Sequence, residues 1–426
     1  MSVWGLRLLC FVTVLVGGCK AANAVEEDPR KTSVPALFIF GDSLVDVGNN
    51  NFLKLALDKA NFPHNGIDYA GQKATGRFSN GMNSADFMVS GEWEETHRRP
   101  KSSGISQKFD SVGLRYTHIG PAVPHCVIEK SESKGEPSNS VYSAAQKLGL
   151  ATSPPYLSLN NAKGSSSIMG GVSFASGGAG ILDGSPKPKI FEQTIPLNKQ
   201  IEFYSTVYGQ FVEQLGSIEA QKYLSRSLFA VVIGSNDILG YFKPTSSMKQ
   251  KYSPQQYLDL LMTTLKGQLQ RIYNLGARKI VSVGVGPIGC SPKIRARNET
   301  EGCDEETNDW CARYNEAVVR LLQNLKSELK DFNYSFFNTY LLVHDFIERP
   351  SSHGFVEVKA ACCGLGKLNA IFPCIPISHY CGNRSDHVFW DFYHPTEAAS
   401  RMLADAAFDG SPPFVYPFNV RKLSAM

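Results

Sequence analysis

The sequence is short of charge and of long apolar runs, and each shortage removes a class of function. Charged residues make up 19% of the 426, the formal net charge is only +4, and no segment gathers Lys and Arg into a stripe. Nucleic acid is therefore not an expected partner. Past the first two dozen residues no stretch is apolar for the roughly 20 residues that a bilayer crossing takes, so no integral membrane segment is expected after them. Paired C-x-x-C knuckles are missing around the cysteines, which argues against a structural zinc site. The glycine run Ser176-Gly177-Gly178-Ala179-Gly180 lacks the Lys-Ser/Thr that completes a phosphate-binding loop. No G-x-S-x-G elbow surrounds Ser43, the serine of greatest interest below, so the common α/β-hydrolase nucleophile turn is excluded there.

What is present begins at the N-terminus. Arg7 precedes an apolar run over 8–16, and Ala22-Asn23-Ala24 supplies small residues at the spacing a signal peptidase reads. Residues 1–24 are thus expected to be a signal peptide and 25–426 a single secreted domain. Of the 10 cysteines, Cys10 and Cys19 leave with the signal. Most of the others fall in two clusters, Cys290, Cys303 and Cys311, then Cys362, Cys363, Cys374 and Cys381. An oxidising compartment favours disulfides between them, with the connectivity left open. Asn298, Asn333 and Asn383 each head an N-x-[ST] sequon and are candidate glycosylation sites.

Five apolar runs rich in β-branched and aromatic residues, at 36–40, 171–174, 228–233, 279–283 and 334–337, read as strands covered on both faces. Amphipathic stretches lie between them, clearest at 254–275 and 306–329. The first is preceded by Ser253 as N-cap with Pro254 at the first helical position, and it stops at Gly276. Alternation of strand and helix implies an α/β fold with a parallel sheet. In such sheets the carboxyl ends of the strands form the ligand crevice, which would bring Ser43, Gly177 and Asn236 to one rim. The Ser-, Lys-, Glu- and Gly-rich stretch at 89–142 breaks this pattern. It reads as an insertion into one helix that 85–88 and 145–149 would otherwise form together, of the kind that retained untranslated sequence produces.

Five residues carry the chemistry. Ser43 follows the first strand in Phe40-Gly41-Asp42-Ser43-Leu44, where it is either a helix cap or a nucleophile, and as a nucleophile it needs a base. Asp391 stands three residues before His394, so its carboxylate can hold the imidazole's second N–H, and Pro395 keeps the pair on a loop. Gly177 can offer a backbone N–H and Asn236 a side-chain amide to a developing oxyanion.

The set resembles a GDSL-type esterase/lipase of the SGNH hydrolase superfamily, in its plant-type branch. Four dispersed blocks match in order, with Ser43, Gly177, Asn236, and Asp391 with His394 at the functional positions. Gly76-Arg77-Phe78-Ser79-Asn80-Gly81, Gly286-Pro287-Ile288-Gly289-Cys290, Cys362-Cys363-Gly364 and Cys381-Gly382-Asn383-Arg384 extend the match. Two features depart from the family pattern: the 89–142 stretch, and Ser173, which stands where the family commonly carries Asn.

The resemblance implies a three-layer α/β/α sandwich around a five-stranded parallel sheet, flavodoxin-like in winding. It implies an esterase working through an acyl-enzyme on Ser43, with Asp391 and His394 completing the triad and Ser43, Gly177 and Asn236 forming the oxyanion hole. No cofactor or metal is required, the partner is a small-molecule or lipid ester, and the location is extracellular, at the cell wall or apoplast. An acyltransferase using a second alcohol, or an inactive secreted binding protein on the same scaffold, fits the same fold. The resemblance leaves the oligomeric state open.

Overall fold

Strands that bury every side chain require cover on both faces of a sheet. The computed structural model, which describes residues 34–89, 147–159, 168–183 and 193–426, supplies it. The main sheet runs in the order β1 (Leu37–Gly41), β2 (Leu228–Val232), β3 (Lys279–Val283), β4 (Asn333–Phe337) and β5 (Val415–Pro417). The first four are parallel and paired without slippage from Leu37↔Leu228 to Val283↔Phe337, whereas β5 is antiparallel to β4. The protein is thus of α/β class with a mixed sheet.

Here the expectation of five parallel strands needs correcting. The 171–174 run does lie parallel to β1, with Ile39 N–H donating to Val172 O and Phe174 N–H to Ile39 O. It forms only single-residue bridges, however: Val172 and Phe174 bond to Ile39, Ser173 bonds through both its backbone groups to Pro154 O and Tyr156 N–H on the other side, and the Gly41 N–H that would extend the pairing goes to Gln200 instead. Pro154 and Pro155 have no N–H to extend a ladder. The fifth place in the sheet goes to Val415–Pro417, three residues that carry no strand signature of their own.

Alternate residues of the strands feed two cores. Phe38, Phe40, Phe229, Val231, Ile280 and Phe336 point to one face, against helices α1 (Leu197–Leu215), α2 (Ser217–Arg226), α4 (Pro254–Asn274) and α5 (Glu305–Glu328). Leu37, Ile39, Ala230, Val232, Val281 and Phe337 point to the other, against α6 (Thr339–Glu348) and α7 (Glu397–Asp409). A shorter helix, α3 (Ser235–Phe242), follows β2 directly. The start of α4 is the one expected: Ser253 accepts from Gln256 N–H and the Gln256 side chain returns the bond, a complete capping box.

A smaller region between α6 and α7 is held differently. Three disulfides occur among the described residues: Cys290–Cys303, Cys362–Cys381 and Cys363–Cys374. The last two close around Trp390, which is fully buried and donates its Nε1–H to Asn65. Cys311 stays a buried free thiol in α5, and its burial pushes its pKa up to about 12.

The signal peptide expected at 1–24 lies outside the described residues, as does nearly all of the 89–142 stretch; a helix over Ser84–Val89 leads up to it. Among the described residues no helix is long and apolar enough to cross a membrane. Of the sequon asparagines, Asn383 is exposed, Asn298 is half-buried, and half-buried Asn333 heads β4, where its Oδ1 accepts from Lys326 Nζ at 2.7 Å.

Candidate active site

Gly41 ends β1 because the chain must turn sharply against its neighbour: a Cβ there would lie 2.4 Å from the Val232 carbonyl oxygen. The turn leaves Asp42 buried and Ser43 half-buried, both at the border of one cavity. Asp42 Oδ1 accepts the Leu44 N–H at 3.0 Å, closing a local loop around the serine. Gln200 of α1 locks the strand end from below, its amide accepting from Gly41 N–H at 2.9 Å and donating to Gly41 O at 2.8 Å.

His394 comes to Ser43 from the other end of the chain. Its Nε2 lies 2.7 Å from Ser43 Oγ, and its Nδ1 lies 2.8 Å from both oxygens of Asp391. An ionised carboxylate only accepts, so Nδ1 carries the proton and Nε2 is left to accept from the serine hydroxyl. Asp391 is itself fixed by the backbone N–H groups of Tyr393 and His394, at 2.9 and 2.8 Å. The loop is pinned where Trp390 N–H donates to His394 O and Cys363 N–H to Trp390 O. The Phe78 ring packs on the imidazole with centroids 4.9 Å apart, which gives the Gly76–Gly81 block a place beside the site. Thr396 caps α7, so the helix starts two residues beyond Pro395 and leaves the pair on a loop.

A histidine beside a carboxylate is not distinctive in this protein. His353 meets Asp345 at 2.7 Å and His387 meets Asp386 at 2.6 Å. What separates His394 is the serine on its far nitrogen. Burial, the largest influence on its ring, disfavours the charged form. The Asp391 charge and hydrogen bond, with Asp42 and Asp58 farther off, outweigh it and hold the pKa above 6.5. Asp42 is buried with its Oδ2 unpartnered among the described residues, and burial raises its pKa to about 7.

Ser43, Asn236, Asp391 and His394 border one cavity of about 620 Å³, within the ordinary range for ligand sites. Asn236, the second residue of α3, donates through Nδ2 to Ala179 O at 2.9 Å, which fixes the amide and leaves its second hydrogen without a partner among the described residues. Gly177 is not brought to the cavity, and this corrects the expectation. Its N–H donates to Asp46 Oδ2 at 3.0 Å and its carbonyl accepts from Asn50 at 3.0 Å, so it faces inward. The next residue, Gly178, borders the cavity with φ of 79°, a conformation that glycine adopts without strain. Among the described residues no group accepts the Gly178 or Ser43 N–H.

Asp46, which the sequence reading passed over, organises this turn. One oxygen accepts from Gly48 and Asn49 N–H and the other from Gly177. The signal was there in Asp42-Ser43-Leu44-Val45-Asp46, an acid inside the nucleophile's own block. Ser173, standing for the family's Asn, is fully buried and its hydroxyl has no partner among the described residues.

Serine, imidazole and carboxylate in one hydrogen-bonded line at the carboxyl ends of parallel strands is the arrangement a serine hydrolase uses. Comparison with known proteins agrees. The profile of the GDSL-like lipase/acylhydrolase family matches residues 133–407. Among the similar proteins are three GDSL esterase/lipases of Arabidopsis thaliana. One is 40% identical over 92% of this chain and 91% of its own length. The other two are 34% identical over 92% and 91%, and 33% identical over 89% and 90%. The chain therefore belongs to the GDSL-like lipase/acylhydrolase family, a class of carboxylic ester hydrolases.

Proposed function

We propose that this chain is a secreted esterase that cleaves carboxylic esters through an acyl-enzyme on Ser43. The observation that carries the reading is the 2.7 Å contact between Ser43 Oγ and His394 Nε2, with Asp391 on the opposite ring nitrogen. Ser43 Oγ bonds to the ester carbonyl carbon while its proton passes to His394 Nε2. The imidazolium is stabilised by Asp391 and then returns that proton to the departing alcohol oxygen. Water repeats the sequence on the acyl-enzyme: its proton goes to His394, its oxygen to the carbonyl, and Ser43 leaves with the proton.

The oxyanion donors in this reading are the N–H groups of Ser43 and Gly178 and the Asn236 amide, which replaces the sequence-based choice of Gly177. The flavodoxin-like sandwich is supported if the 171–174 run is counted as the edge neighbour of β1, on the strength of its backbone bonds to Ile39. Secretion is supported by the disulfides, which persist in oxidising compartments.

The test is labelling by a serine-directed phosphonate together with p-nitrophenyl ester turnover. Wild type should do both and Ser43→Ala neither. An unlabelled wild type would leave the alternative of an inactive binding protein. Product analysis with a competing alcohol then separates hydrolysis from acyl transfer.

A further inference from the structure

The cavity at Ser43 has a smaller neighbour of about 300 Å³. Leu239, Lys243 and Tyr393 border both spaces, so the two adjoin. Leu239 lies in α3 and Lys243 directly follows it, while Tyr393 belongs to the loop between Asp391 and His394. Phe242, Pro244 and Ile294 give this side pocket an apolar part, and Arg297, Asn298, Asp304 and Thr307 a polar one.

Its charge is unbalanced. Arg297 is exposed and has no carboxylate partner among the described residues. Two neighbours register its charge. Half-buried Lys293 donates through Nζ to the Ile371 carbonyl, and its pKa is lowered by burial and then by Arg297. Burial raises the pKa of Tyr393, and Arg297 pulls it back. The Tyr393 hydroxyl has no hydrogen-bond partner among the described residues. Asp304 is the one carboxylate on the pocket's border. It is exposed, and its Oδ1 accepts the Thr307 N–H at 2.8 Å as the N-cap of α5. Cations held within range of one another raise the free energy of the fold, and an anion beside them lowers it.

We propose, on the footing of the esterase reading above, that this side pocket binds a carboxylate carried by the ester substrate. Arg297 and Lys243 supply the positive charge and the Tyr393 hydroxyl a further donor. The planar guanidinium offers two parallel N–H groups that match the two oxygens of a carboxylate. A singly charged group suits the pocket better than a phosphate, because Asp304 on the same border repels a dianion more strongly. The border shared with the Ser43 cavity allows one molecule to place its ester at Ser43 and its carboxylate at Arg297.

The experiment compares kcat/KM within two pairs of esters. 4-Acetoxybenzoate and its methyl ester differ by a carboxylate on the alcohol side; mono-p-nitrophenyl adipate and its methyl ester differ by one on the acyl side. In Arg297→Gln the acid-to-methyl-ester ratio should fall about tenfold in one of the pairs, and in Arg297→Glu further still. The pair that responds shows which half of the substrate carries the charge. Wild type gives a second measurement that needs no variant. Its ratio should fall as ionic strength rises from about 0.01 to about 1 M, where the screening length shrinks from about 30 to about 3 Å. A ratio unchanged in both pairs in both variants, or a wild-type ratio indifferent to salt, overturns the proposal and leaves the esterase reading intact. If wild type cleaves neither methyl ester, or Ser43→Ala cleaves them equally well, the underlying reading fails first and takes this one with it.

Discussion

The two halves of the site are built from different materials. Ser43, Gly178 and Asn236 stand on or beside the ends of strands whose side chains are almost all buried in two large cores. Asp391 and His394 stand on a loop whose nearest support is a small cluster of Trp390, Cys362, Cys363 and Cys374, closed by two disulfides. The first half is fixed by burial, which is cooperative with the whole fold. The second is fixed by covalent bonds spanning 19 and 11 residues and by a few backbone hydrogen bonds. The proposed nucleophile is anchored in the sheet and the proposed base by staples, and this contrast is open to attack from both sides.

The largest effect should come from the sheet half. Ser43→Ala should lower kcat by about a million-fold, with the melting temperature held, as measured by ester turnover beside circular dichroism. A variant that keeps substantial turnover would place the nucleophile elsewhere. Asn236→Ala should follow, with a loss of about a hundred- to a thousand-fold in kcat. If kcat is retained, that amide holds Ala179 and nothing more.

The stapled half sharpens the comparison. Replacing Cys363 and Cys374 together by Ser should remove about 3 kcal/mol from that region. Ester turnover should then be lost in urea at concentrations where the helical and sheet signals are still native. Coincident loss of both signals would mean that the two halves are one cooperative unit.

The smallest expected effects are in pH. In the proposed mechanism catalysis needs neutral His394, whose folded pKa lies above 6.5, so kcat/KM should rise with pH through a midpoint above that value. Stability moves the other way. Asp42, Asp46 and Asp237 have folded pKa values raised from 3.8 to about 7, about 6 and about 6. The folded state binds their protons more tightly than the unfolded chain does, so this contribution is complete below 3.8 and is lost as pH rises toward 7. Asp42→Asn should raise stability at pH 8, on the order of 2 kcal/mol, and change it little at pH 4. Chemical denaturation at the two pH values checks the sign.

Where the chain carries a local physical rule, its sequence was enough. Ser253, Pro254 and Gln256 mark the start of a helix because caps satisfy orphan N–H groups within a few residues. Ser43, Asn236, Asp391 and His394 were legible because each sits in a short block whose residue types the chemistry restricts. Other features depend on partners remote in sequence. Gly177 and Gly178 are the same residue type side by side, and only the Asp46 carboxylate, 131 positions away, decides which N–H turns inward. Val415–Pro417 became a strand because β4 offered it an edge, and 171–174 stayed a bridge because the Gly41 N–H that would continue its pairing is taken by Gln200.

The sequence by itself therefore determined the candidate reacting groups and the α/β class, since both follow from residue type and local period. The tertiary structure alone decided which backbone donors face the cavity and how the His394 loop is held. Those depend on which surfaces meet, and chain order does not encode that locally.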